Sequence, residues 1–301
     1  YISFVFLGSI KLFFIKEKFD KIFVYAPSPI TVGYVGIIAS LIFKAQSYLW
    51  VHDLWPESVK DAGGVNNKFV LFLVDIMTRS IYYFYHKILI QSPNFRDYLL
   101  NQGVIDSKII FYPYYAESFY KVVKEKESVK SQYGDGLNIV FAGNIGVAQS
   151  FDTIIEASKI LSKKINNFRF IIIGDGRDKK RVIKKISINF LDDYFKFLGS
   201  YPPEKMAVFF ASADALMVSL KDTKIFSMTI PGKLQSYLAC GKPIIASLNG
   251  IGAKIIHESN SGYSSNAEDY NSLANSIIHF SRLSSDKKNE LGKNARKYYE
   301  K

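Results

Sequence analysis

At 301 residues, 48% hydrophobic and 15% aromatic, the chain is long enough for two domains and can bury their cores, which excludes a disordered or fibrous protein. A net charge of +12 favours anionic partners such as nucleotides, phospholipid surfaces or nucleic acid, but the excess is dispersed and belongs to no recognisable nucleic-acid module. The single cysteine, Cys240, excludes an internal disulfide framework and fits a reducing compartment; with no His near it in sequence, it reads as a small packed residue.

The opening run, YISFVFLGSIKLFFI, is apolar but broken by Lys11, and it lacks the basic leader and cleavage site of a signal peptide. Neither it nor residues 31–43 reach the roughly 20 apolar residues of a membrane span, so both read as buried or interfacial helices. The chain opens on Tyr1 rather than Met, which suggests an N-terminal truncation. Strand and helix then alternate, the pattern of an open parallel sheet with covering helices. Residues 21–25, 47–51, 87–90 and 108–112 read as strands, and 31–43, 68–85 and 94–102 as helices. Residues 117–131 turn polar and charged and read as a linker. A second unit follows, with strands expected at 137–142, 168–173, 195–198 and 215–219. Its helices are expected at 151–163, 179–186 and 203–211, with a final helical region at 271–301. The basic run KKRVIKK at 179–185 reads as a solvated helix face.

In such sheets ligands sit at the carboxyl ends of the strands. Small or polar loops fall there at Pro27-Ser28-Pro29, His52-Asp53, Gly143-Asn144-Ile145-Gly146 and Gly174-Asp175-Gly176. The segment 226–245, FSMTIPGKLQSYLACGKPII, is the most specific of all. Pro231 suits the first turn of a helix, Gly232 admits a bulky anion to the free N–H groups, and Lys233 adds positive charge. The spacing matches neither GxxxxGK[ST] nor GxGxxG, and no cluster of metal-ligand type is present.

His52-Asp53-Leu54-Trp55-Pro56-Glu57, the Gly143–Gly146 loop with Gln149, Gly174-Asp175-Gly176, and Pro231-Gly232-Lys233 followed by YLACGKP occur in one order. In that order they resemble the retaining glycosyltransferases of family four, which have the GT-B fold. The resemblance covers nearly the whole chain and is nearest to the bacterial O-antigen, capsule and exopolysaccharide branch, such as the fucosamine transferases. It implies two tandem Rossmann-like α/β domains, the first incomplete at its N-terminus. These would be an acceptor-side domain at 1–125, a nucleotide-sugar domain at 126–285, and a C-terminal helix at 286–301 that packs back on the first. The implied activity is transfer of a hexosyl or N-acetylhexosaminyl group, with retention, from a UDP-sugar to a polyprenyl-diphosphate-linked saccharide.

By the resemblance, Pro231, Gly232 and Lys233 hold the distal phosphate. Gly143, Asn144, Gly146 and Gln149 face the diphosphate and sugar, Gly174 and Gly176 let the nucleotide approach, and Phe197 edges the base. His52, with Asp53, faces the reacting sugar. Two departures stand out: Met228 and Ser236 occupy the places where many relatives carry Glu, and Ser236 replaces the ribose-binding one. Gln235 and Tyr237 are the candidate substitutes. No metal or other cofactor is expected. The implied location is the cytoplasmic face of the cell membrane, held peripherally. A nucleotide-sugar epimerase of similar architecture, and a non-catalytic nucleotide- or nucleic-acid-binding protein, stay open as alternatives.

Overall fold

The computed structural model describes residues 2–61 and 64–301, and the chain divides into two compact units at Tyr114/Tyr115. Tyr1, on which the truncation expectation rests, lies outside the described residues.

Unit 1 runs α1 (Ile2–Leu12), β1 (Lys21–Ala26), α2 (Gly33–Phe43), β2 (Gln46–Val51), α3 (Glu57–Asp61), α4 (Lys68–Phe84), β3 (Lys87–Ile90), α5 (Phe95–Asn101) and β4 (Ile109–Phe111). The four strands are parallel and lie in the order β1-β2-β3-β4. Because that order runs one way, right-handed crossovers carry the connecting helices over one face of the sheet. Val24, Leu49 and Ile88 form one buried row there, and Ala26, Val51 and Ile90 the next. Helix α2 approaches this face closely through Gly36, where a Cβ would stand 2.3 Å from Val24 Cγ2. The opposite face is aromatic and open, with Phe23 54% and Tyr25 47% exposed. No residue of α1 is buried. Helix α4 buries Thr78, Ile81 and Tyr82 but leaves Phe69, Phe72, Leu73 and Ile76 exposed, spaced along one helical face.

Unit 2 runs α6 (Glu127–Tyr133), β5 (Leu137–Ala142), α7 (Phe151–Leu161), β6 (Phe168–Ile173), α8 (Lys179–Ile188), β7 (Phe195–Gly199), α9 (Met206–Ala211) and β8 (Ala215–Ser219). It continues with α10 (Lys224–Met228), α11 (Gly232–Ala239), β9 (Ile244–Ser247), α12 (Ile251–Ser259), β10 (Gly262–Ser265), α13 (Tyr270–Ser281) and α14 (Ser285–Tyr299). Its six parallel strands lie in the order β10-β9-β8-β5-β6-β7. Counted within the unit this is the doubly wound order, reversing between β5 and β8, and such a reversal covers both faces with helices. The strands are therefore near-continuous apolar runs. Val140 and Ala142 of β5 join the core under α9, α11 and α12, while Ile139 and Phe141 join the core under α7, α8 and α13. Each fully buried aliphatic or aromatic side chain contributes about 1.5–3 kcal/mol on transfer from water.

The structure departs from the sequence reading in several places. The expected linker is irregular only as far as Lys126; α6 then inserts Val129 and Tyr133 into the unit 2 core. A short helix, α10, capped by Thr223, occupies part of the polar stretch before Pro231. An edge strand, β10, precedes the C-terminal helices, which break at residues 282–284. Helix α14 buries Leu291 and Ala295 in the cores of unit 2, and Arg296 donates to the Ala239 carbonyl at 2.7 Å.

Candidate functional site

The reversal between β5 and β8 leaves a crevice beyond the carboxyl ends of these strands, the usual ligand position in such a sheet. Two segments meet there. The first is the 143–150 loop after β5; the second is the 220–231 stretch after β8, which delivers the N-terminus of α11. Pro231, extended at φ −64 and ψ 128, opens α11 and is buried, while Gly232 is exposed. The N–H groups of Gly232 and Lys233 belong to the first turn, where no intrahelical acceptor exists. Helix α11 is locked to the sheet by Tyr237, fully buried, whose hydroxyl accepts from the Ala142 N–H at 3.1 Å.

Lys233 is the most unusual group in this crevice. Its stem is partly exposed, but Nζ is buried and has no hydrogen-bond partner. Nζ lies 3.9 Å from the centroid of the Phe141 ring and 3.7 Å from where a Cβ on Gly143 would stand. Burial without a counter-ion pushes its pKa down to about 7. An amine held over an aromatic face beside the first-turn N–H groups of a helix can, once protonated, receive an anion with several acceptor oxygens.

The two glycine loops pack against each other. Gly174, at φ +142, has the Gly143 carbonyl oxygen 2.0 Å from its missing Cβ, and Gly176 has the Ile145 oxygen at 2.1 Å. The close approach these glycines allow is that of the 143–146 loop itself. Ile145 N–H donates to Asp175 O at 2.7 Å and Asp178 N–H donates to Ile145 O at 3.1 Å, completing the interlock. Gln149 folds back so that Oε1 accepts from the Gly146 N–H at 3.1 Å. Gly143 and Asn144 are exposed and free to face a ligand. Phe197 is half-buried on β7, packed against the α7-side core. Ser236 is buried in α11, and Tyr237 is committed to Ala142; Gln235 is the half-buried polar side chain left on that helix. Cys240 is buried, with its thiol pushed up to about 12 by burial, so it is a packing residue. Among the described residues, no group of three or more His, Cys, Asp or Glu is placed to hold a metal ion.

His52 and Asp53 follow β2 in unit 1. The His52 ring packs edge-on against Trp50, Tyr25 and Tyr114, with centroids 4.3, 4.7 and 5.5 Å away. Nε2 is buried without a partner, and burial lowers the imidazole pKa to about 4, so the ring is neutral at physiological pH. Asp53 is raised to about 6 by burial, partly offset by a hydrogen bond from Ser28. Tyr98 donates to the Trp55 carbonyl at 2.9 Å and to Glu57, which fixes the segment that follows. Sequence reading did not single out Glu268 and Asp222, which cross-link the loops around α11; their polar, loop-type context carries no motif signal.

The fold is that of an α/β protein of two Rossmann-like units, with a buried, unpartnered lysine in the crevice of the second. The model of the family "Glycosyl transferases group 1" matches residues 123–298, and the chain belongs to this family. Alpha-monoglucosyldiacylglycerol synthase of Acholeplasma laidlawii is 25% identical over 195 residues, 64% of this chain and 46% of that protein. The putative colanic acid biosynthesis glycosyltransferase WcaL of Escherichia coli (strain K12) is 25% identical over 165 residues, 54% of this chain and 41% of that one. The chain thus spans about half the length of the curated relatives it matches. Among solved structures, sucrose-phosphate synthase from Thermosynechococcus elongatus superposes with TM-score 0.76 at 18% identity, over 98% of this chain and 72% of the other. Anabaena HepE in complex with UDP and glucose gives 0.71 at 16% identity, over 99% and 75%. These likenesses establish the two-domain GT-B fold.

Proposed function

We propose that the chain moves a glycosyl group from a nucleotide-diphospho-sugar to a lipid-linked saccharide, with retention at the anomeric carbon, in the synthesis of a cell-surface polysaccharide. The observation that carries this reading is Lys233: a buried, unpartnered ammonium beside the free N–H groups of α11 at the reversal point of the sheet. A diphosphate fills that vacancy of charge. As the glycosidic bond breaks, negative charge grows on the distal phosphate, and a cation and dipole already fixed there stabilise the transition state more than the ground state. The departing phosphate is then the natural acceptor for the proton of the attacking hydroxyl, which delivers the acceptor to the face the diphosphate leaves.

UDP as the nucleotide is carried over from the HepE complexes, and the polysaccharide setting from the name of WcaL. A peripheral position on the inner membrane face is supported by the exposed apolar stripe of α4 and the unburied apolar helix α1. No helix of the described residues is long and apolar enough to cross a membrane. Incubating the chain with UDP-sugars and a polyprenyl-diphosphate-linked saccharide tests the reading. A retained glycoside is expected without added divalent ion; an inverted product, an epimerised free sugar nucleotide, or a strict divalent requirement would contradict it.

A further inference from the structure

The carboxyl ends of β5, β8 and β10 are tied together through one side chain that no motif marks. Glu268 follows β10 at φ +62, a left-handed conformation unfavourable to any residue bearing a Cβ. Its carboxylate bridges two other segments. Oε1 accepts from Ser150 Oγ at 3.2 Å, and Oε2 accepts from the Asp222 N–H at 3.0 Å. Ser150, itself left-handed at φ +42, closes the 143–150 loop and opens α7. Asp222 lies near the start of the stretch that leads to Lys233. Further bonds brace the same junction. Lys221 N–H donates to Ala148 O at 2.9 Å, Asn249 Nδ2 donates to Asp222 Oδ1 at 2.9 Å, and Ala267 N–H donates to Asn249 Oδ1 at 3.0 Å.

We propose that Glu268 is a positioning residue that sets the separation between the 143–150 loop and the stretch carrying Lys233, and so shapes the diphosphate site; this rests on the donor reading given above. A glycine would take this backbone conformation without strain, so what glutamate supplies is its carboxylate. Glu268 is exposed, so core packing does not explain it. Two left-handed residues joined by one hydrogen bond persist where the surroundings over-determine them, which is common beside ligand sites. A carboxylate accepting from a backbone N–H and a hydroxyl at once is a strong, directional link.

Glu268→Gln and Glu268→Gly in the full chain separate the carboxylate's bridging role from the backbone's. Glutamine retains both links, its carbonyl oxygen accepting from Asp222 N–H and its amide donating to Ser150 Oγ. Calorimetry with UDP is expected to show E268Q within about twofold of the parent and E268G weaker by about tenfold, one charge-assisted hydrogen bond's worth. E268G is also expected to melt within a few degrees of the parent yet lose hydrogen-exchange protection at the Asp222 amide. Parent-like UDP affinity in E268G overturns the positioning role, and an Asp222 amide still protected in E268G overturns the bridge itself. A parent chain that binds no UDP refutes the donor reading instead, and the exchange measurement still judges the bridge.

Discussion

At the residue scale, Lys233 is a buried amine with no hydrogen-bond partner among the described residues. Its pKa near 7 in the free protein lies below the unfolded value of 10.5. Between these two values the unfolded chain holds the extra proton, so the free protein gains stability as pH rises from about 7 to 10.5. Diphosphate binding has the opposite dependence, because it requires the ammonium. UDP affinity is expected to fall as pH rises above about 7, with proton uptake on binding seen as a buffer-dependent heat. Lys233→Met is expected to flatten both profiles and to weaken UDP by about tenfold or more. A K233M chain with the parent's affinity and pH profile would remove Lys233 from the site. His52 and Asp53, by contrast, shift in opposite senses over nearly the same acid range, so their linkages oppose each other.

At the scale of elements, what the sequence shows depends on how an element earns its stability. Strands β3, β5, β6 and β8 are apolar runs buried in a parallel sheet, and their bounds are read directly from residues 87–90, 137–142, 168–173 and 215–219. Helix α6 hides because only Val129 and Tyr133, four residues apart, touch the core, while the residues between them are charged or polar. Strand β10, GYSS, is a polar edge strand that pairs only with β9 and carries no alternation. The site is legible in the same uneven way. PGK ahead of a helix reveals an anion position, but two glycines after a strand do not reveal that the atoms filling their space are carbonyls of the neighbouring loop. Helix α4 is the reverse case: its apolar periodicity is plain, yet its first half faces solvent. If this stripe rests on a lipid surface, Phe72→Ser with Leu73→Ser should leave the melting temperature nearly unchanged. The same change should reduce co-sedimentation with anionic vesicles at least several-fold, because two apolar side chains no longer enter the interface. Unchanged co-sedimentation would move membrane contact away from α4.

At the scale of the whole molecule, the two units share one architectural logic with different completeness of covering. Unit 2 reverses its strand order and wraps both faces of its sheet, and it holds the crevice with Lys233. Unit 1 runs its strands one way, and its aromatic face carries His52 at the end of β2. A second polar cavity of about 710 Å³, lined by carboxylates (Glu125, Glu127, Asp214) as well as lysines (Lys130, Lys242, Lys288), lies at the amino ends of the unit 2 strands and is the alternative ligand position. Hydrogen exchange on the full chain with and without UDP distinguishes the two most directly. Slowed exchange is expected across residues 143–150 and 231–236, with no change around Lys130 and Asp214. Protection confined to the 710 Å³ cavity, or no protection at saturating UDP, would contradict the donor reading.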